Sequence, residues 1–357
     1  MQHLSAMQEI LATAWWALLG FSFLAYLVLD GADLGAGVIS LFIKDPQEKG
    51  AIMASMAGTW DANETWLVVA GGVMFGTFPF VYGSAFHFLM VPLALALWGI
   101  ISRAISLEFY HHAESSKRFW GFMFGFGSLV TPYFAGMAMG AVLLGFPMTS
   151  LHPGNAHANL GPFTLPTYSG SPLAFISPFS VWTGFGALIA VALAGGLFIR
   201  ARFEKHCPVR ETALTWANTS FYLALAAVVI TVVWSIFLFP WAVHKWLGAY
   251  WWAWLLVLLA TVFAAIKSRM ATAKGHDLAA ILWLNLVVTL MWGGMMATMF
   301  PWIVPNTWTI FSGASPNVSI ITFTMAMIGF FPIMIMYNAY QWWVFRGRVT
   351  KLVAYGH

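Results

Sequence analysis

The chain has 357 residues, of which 61% are hydrophobic, 17% aromatic and only 8% charged. A soluble domain carries about a quarter charged residues, so most of this chain must meet lipid or other apolar helices, and the expected fold is an all-α polytopic membrane protein. The net charge of +4 sits in short loops, which argues against nucleic acid, and a single cysteine excludes an internal disulfide and any CxxC motif.

In chain order, "MQHLSAMQEI" lacks a basic region and leads into an apolar run too long for a cleaved signal, so it reads as the approach to a first span. A spanning helix needs about 20 apolar residues; cutting at charges and Gly/Pro clusters predicts about nine spans, roughly 10–43, 51–77, 82–110, 119–146, 176–200, 213–240, 246–266, 278–302 and 318–345. The first contains "LDGADLGAG" (29–37), where Gly31, Gly35 and Gly37 surround Asp30 and Asp33. Those glycines predict an interrupted helix, lining either a cavity or a tight helix crossing. The second opens on "GTWDANETWL" (58–67), which carries Asp61 and Glu64 about halfway up, and the third carries Arg103 and Glu108 near its inner end. Gly72/Gly76, Gly121/Gly125 and Gly136/Gly140 have the spacing that lets helices pack closely.

A loop at about 147–175 has no Lys, Arg, Asp or Glu. It divides a first four-helix group (1–146) from a second group of five (176–357). "TFPFV" (77–81), "LFPWA" (238–242) and "MFPWI" (299–303) read as proline stops beside an aromatic belt, or as traces of an internal duplication. Lys44, Lys49, Lys117, Arg118, Arg200, Arg202, Lys205, Arg210, Lys267, Arg269, Lys274, Arg346, Arg348 and Lys351 all fall on one side of nine spans, with Lys245 opposite. The positive-inside rule then places the N-terminus outside and the C-terminus in the cytoplasm.

Asp30, Asp33, Asp61, Glu64, Arg103 and Glu108 remain within the membrane, where each costs at least about 2.5–3.5 kcal/mol near the centre. The span boundaries put all six in the inner half or midplane of the first helical group. The four acids of the first two spans, Asp30, Asp33, Asp61 and Glu64, and one arginine cannot all be paired and ionised in a dry bundle; either some hold protons or water reaches them. Both conditions suit proton movement, while a polar knot that fixes helix packing is the alternative. Of ten histidines only His87 falls well inside a span, which argues against haem ligation by this chain, since haem needs axial ligands. No metal motif is present, and "NET" at 63–65 is noise as a glycosylation signal at that depth.

"DGADLGAG" (30–37), "WDANETWLVVAGGVMFGTFP" (60–79), "RAISLEF" (103–109), "MFPWIVP" (299–305) and "YQWWVFRGRVT" (340–350) resemble, in order, the signature blocks of subunit II of cytochrome bd quinol oxidases. The resemblance covers the whole chain. It departs at Ala62, usually Gly, and at Tyr110, usually Arg, which puts any role of that arginine in doubt here. It implies two four-helix bundles plus one further helix in the bacterial cytoplasmic (inner) membrane. It also implies a partner subunit I holding two haems b and one haem d, with quinol and oxygen as substrates of the complex. Small single-helix accessory chains and a structural quinone in this subunit occur in some members. The present chain would contribute scaffolding and a cytoplasmic proton pathway, with no catalytic residue of its own. Carried over residue by residue, Asp61 is the expected proton-path residue and Asp30, Asp33 and Glu64 are its neighbours. Arg103 and Glu108 would shape the inner mouth. A proton-coupled secondary transporter, which also combines Gly-broken helices with midplane acids, is the rival from another class. A pure assembly scaffold is the other.

Overall fold

The structure is a computed structural model that describes residues 5–149, 167–168, 170–344, 347 and 349. Residues 1–4, most of the 147–175 loop, and Arg346, Arg348 and Lys351 lie outside the described residues, as does part of the "YQWWVFRGRVT" block.

The helices are α1 (Ala6–Ser40), α2 (Pro46–Met56), α3 (Trp60–Thr77), α4 (Pro79–Phe88), α5 (Met90–His112), α6 (Lys117–Leu144), α7 (Pro178–Arg202), α8 (Val209–Leu238), α9 (Pro240–Trp246), α10 (Trp251–Ala273), α11 (Asp277–Met299) and α12 (Asn317–Val344). Two short antiparallel pairs, β1 (Met148–Thr149) with β2 (Thr167–Tyr168) and β3 (Trp302–Val304) with β4 (Trp308–Thr309), accompany them. Among the described residues, eight helices are long and apolar enough to cross a membrane. The expected ninth, α3, falls outside that set, and Asp61, Asn63 and Glu64 occupy its first two turns.

Three expectations change. The second span is not one helix, because Ala57–Thr59 separates α2 from α3; the acids therefore open a helix instead of sitting halfway along one. The third span breaks at Leu89 (φ −99°, ψ 14°). Pro92 has no N–H to bond Phe88 and its ring crowds that carbonyl, so a continuous helix is costly there. The glycines of α1 do not interrupt it. A Cβ at Gly35 would lie 1.7 Å from the Val191 carbonyl oxygen, and one at Gly195 would lie 2.1 Å from the Gly35 carbonyl carbon. They let α1 and α7 cross backbone against backbone, so the tight crossing, not a broken helix, is what they provide. Gly121, Gly125, Gly136 and Gly140 also meet neighbours closely, whereas Gly72 faces open space.

Helix α1 is central, packing on α3, α6 and α7 and touching α11 and α12; α5 packs on α6, α7 on α8, α10 on α11, and α12 returns to α3. Phe78 (φ −132°, ψ 58°) and Phe239 (φ −125°, ψ 67°) share one backbone conformation, each followed by a proline that opens a short helix. Phe300 (φ −52°, ψ 133°) does not share it. At that end of the bundle the segment around β3 and β4 is tied down: Ser315 N–H donates to Thr77 O at 2.8 Å and Trp308 Nε1–H to Ser84 Oγ at 2.9 Å.

The basic end has its own lock. Arg200 and Arg210, at the ends of α7 and α8, meet the buried Asp277 at 3.0 and 2.8 Å. As plain loop charges these arginines were misplaced. Both are buried, because Asp277 starts α11 across the bundle and supplies a carboxylate to share.

Candidate functional site: a buried carboxyl–arginine cluster

Tyr26, Asp30 and Asp33 are spaced four and three residues apart and therefore line one face of α1. That face turns inward, and Asp30 and Arg103 are completely buried. Arg103 Nη2 donates to Asp30 Oδ1 at 2.6 Å and also to Glu64 Oε1, so one nitrogen joins α1, α3 and α5. Asp33 accepts from Asn63 Nδ2 at 2.8 Å. Asn63 in turn accepts from Trp342 Nε1 at 3.3 Å, which draws α12 into the network. Asp33 Oδ1 and Arg103 Nε and Nη1 are buried with no hydrogen-bond partner among the described residues.

Charge distinguishes this cluster from the lock at Asp277. There, two arginines share one acid; here, Arg103 faces Asp30, Asp33 and Glu64, and Arg202 of α7 adds a second positive charge that acts on Asp33. Two like charges about 4 Å apart repel by roughly 4 kcal/mol even at an effective dielectric of 20. Three carboxyl groups facing two cations can hold a proton or exchange one, while a set with excess cation is a staple.

The structure brings together Asp30, Asp33, Glu64 and Arg103 of the expected residues. Asp61 stands apart: its side chain is exposed on α3, and its backbone carbonyl accepts from Thr65 Oγ1 at 3.0 Å. Glu108 is also exposed, on α5, and does not reach the cluster; its carbonyl oxygen bonds the His112 ring at 2.9 Å. Towards the basic end the bundle is packed by Ile39, Ile52, Met53, Met56, Phe124 and Phe203, all fully buried. Glu64, with 15% of its side chain exposed, is the most exposed of the three carboxyl groups, on the same face of α3 as Asp61 and Val68.

Sequence reasoning missed Asn63, Tyr26, Trp342 and Asn338. Asn63 was visible between two acids but matched an irrelevant acceptor motif. Tyr26 lies one turn before Asp30, and its phenol faces that carboxyl.

A cavity of about 370 Å³ lies at the other end of the bundle, lined among others by Phe88, Phe146, Phe175, Asn306 and Thr307. Its lining contains no His, Met or Cys and does not fit a haem, which needs an axial ligand of that kind.

The chain is 24% identical over 380 residues to the cytochrome bd-I ubiquinol oxidase subunit 2 of Escherichia coli K12, covering 96% of each chain. It is 26% identical over 152 residues to the cytochrome bd ubiquinol oxidase subunit 2 of Bacillus subtilis, covering 42% of this chain and 44% of that one. Its fold matches a chain of the bd oxidase from Geobacillus thermodenitrificans with a TM-score of 0.75 at 15% identity, over 94% of this chain and 99% of the other. Residues 11–345, from the first turns of α1 to the end of α12, match one family throughout, and the chain belongs to it: cytochrome bd terminal oxidase subunit II.

Proposed function

We propose that Asp30, Asp33, Glu64 and Arg103 form a proton-holding element of the oxidase, linked through Asp61 to the face that subunit I covers. Family membership makes the chain a subunit of a haem-dependent quinol oxidase, a multi-pass protein of the bacterial cytoplasmic membrane with a subunit I partner. It leaves the transporter reading without support. The observation that carries the proposal is the fully buried Arg103 bridging Asp30 and Glu64 beside Asp33.

Reducing oxygen to water consumes protons, and a cluster with more carboxyl groups than cations can take one up and release it. Asp61 supports a lateral connection. An exposed carboxylate at membrane depth costs at least about 2.5–3.5 kcal/mol against lipid, so that face of α3 requires a polar cover. Subunit I is the natural one, and protons then pass between Glu64 and Asp61 at the joint. Glu108 belongs to the cytoplasmic edge of this scheme, with the N-terminus outside and the chain divided at 147–175 into a first bundle and a second group. The two haems b and the haem d reside in subunit I, which oxidises quinol and reduces oxygen. A structural quinone here and single-helix accessory chains are compatible additions.

Replacing Asp61 with Asn tests the reading. Assembled complex with its full haem spectrum should turn over more slowly than native. Turnover at the native rate would remove Asp61 from the path.

A further inference from the structure

We infer that the last turns of α12 are a positioning device for the acid cluster, with Trp342 setting Asp33 through Asn63. The inference rests on the proton-holding reading of that cluster and adds a helix that reading does not use.

Helix α12 is otherwise an outward-facing apolar span: of its 28 residues only Ile320, Phe331 and Asn338 are buried. Phe330, Ile333, Met336 and Tyr337 are exposed apolar surface near its C-terminal half. On such a helix, amide side chains are costly unless they find partners. Here Gln341 and Trp342 lie three and four residues after Asn338 and so on its face of the helix, and all three bond the start of α3. Asn338 Nδ2 donates to Ala62 O at 3.1 Å, Gln341 Nε2 donates to Gly58 O, and Trp342 Nε1 donates to Asn63 Oδ1 at 3.3 Å.

The target is the least self-supported segment of the site. Thr59 at the N-cap of α3 makes no side-chain capping bond, and the preceding residues form the break from α2. Asp61, Asn63 and Glu64 all hang from that first stretch. Indole N–H can only donate, so its bond fixes which end of the Asn63 amide faces α12. The other end, the NH2, is thereby directed at Asp33 Oδ2, 2.8 Å away. Remove the indole donor and the amide is free to turn, presenting oxygen to a carboxyl group that no longer has a fixed donor. Asn338 and Gln341 hold the backbone just before Asn63, at Ala62 and Gly58, which keeps Glu64 in reach of Arg103. Simple helix-to-helix glue would need neither this polarity nor this target.

The test uses the whole oxidase complex, with turnover measured per assembled haem. Trp342→Phe keeps the ring and removes the N–H. It should lower turnover several-fold, alter the carboxyl C=O stretch in the redox-induced infrared difference spectrum, and leave assembly near native. Asp33→Asn should lower turnover too, and the double variant should be no slower than Asp33→Asn alone, because residues acting through one another are not additive. Native turnover with Trp342→Phe alongside a slow Asp33→Asn, or fully additive losses, would overturn the positioning role. Native turnover with Asp33→Asn would instead overturn the proton-holding reading beneath it. Should Trp342→Phe fail to assemble, Asn63→Leu removes the same relay from the α3 side and is judged by the same cycle.

Discussion

Arg103 has no exposed surface and two acid partners, so its removal leaves Asp30 and Glu64 without the guanidinium that both bond. Breaking a buried ion pair from one side costs about 3–5 kcal/mol. Arg103→Leu should therefore sharply reduce the yield and thermal midpoint of haem-bearing complex. Arg103→Lys keeps the charge but not the reach of a planar fork, and should assemble with impaired turnover. Arg200→Leu is the informative contrast, since Arg210 still holds Asp277. A smaller loss is expected there, and a loss as large as that of Arg103→Leu would contradict the distinction between cluster and staple. Differential scanning of purified complex gives all three values.

Among the elements, α1 and α7 depend on contact that tolerates no side chain. Gly35→Val would drive carbon atoms into the Val191 carbonyl, and the helices must then separate. Loss of folded complex is the expected result. Gly72→Ala is the matched control: nothing lies within 4 Å, and alanine gains up to about 1 kcal/mol of helix propensity. Equal expression of the two variants would show that the crossing is not what these glycines serve. The same elements show what could be read from the chain beforehand. The long apolar helices were legible because hydropathy is a local property. The α2–α3 break was not, since Ala57–Thr59 contains no proline and only the fold reveals it; the Leu89 break had a readable cause in Pro92. Gly31, Gly35 and Gly37 announced backbone proximity, but no local pattern separates an interrupted helix from a tight crossing. Arg200 and Arg210 looked like loop charges because Asp277, their partner, is 67 residues beyond Arg210. Arg103 with Asp30 and Glu64 was legible as a set of misplaced charges, whereas the link between Asn63 and Trp342 rests on a contact spanning 279 residues that no local pattern announces.

For the whole molecule, the proposed joint with subunit I is the face of α3 that carries Asp61, Glu64 and the 74%-exposed Val68. In assembled complex, a photo-reactive benzophenone side chain placed at Val68 should label subunit I, whereas one placed at Leu258 on α10 should not. Equal labelling would place subunit I elsewhere. The central claim, that the cluster carries protons for oxygen reduction, is tested most directly by electrical measurement. Complex with Glu64→Gln, reconstituted in vesicles, should build membrane potential during oxygen reduction about tenfold more slowly or worse, because a positioned proton carrier has been removed while the haem spectrum stays native. Potential rising at the native rate would contradict the account.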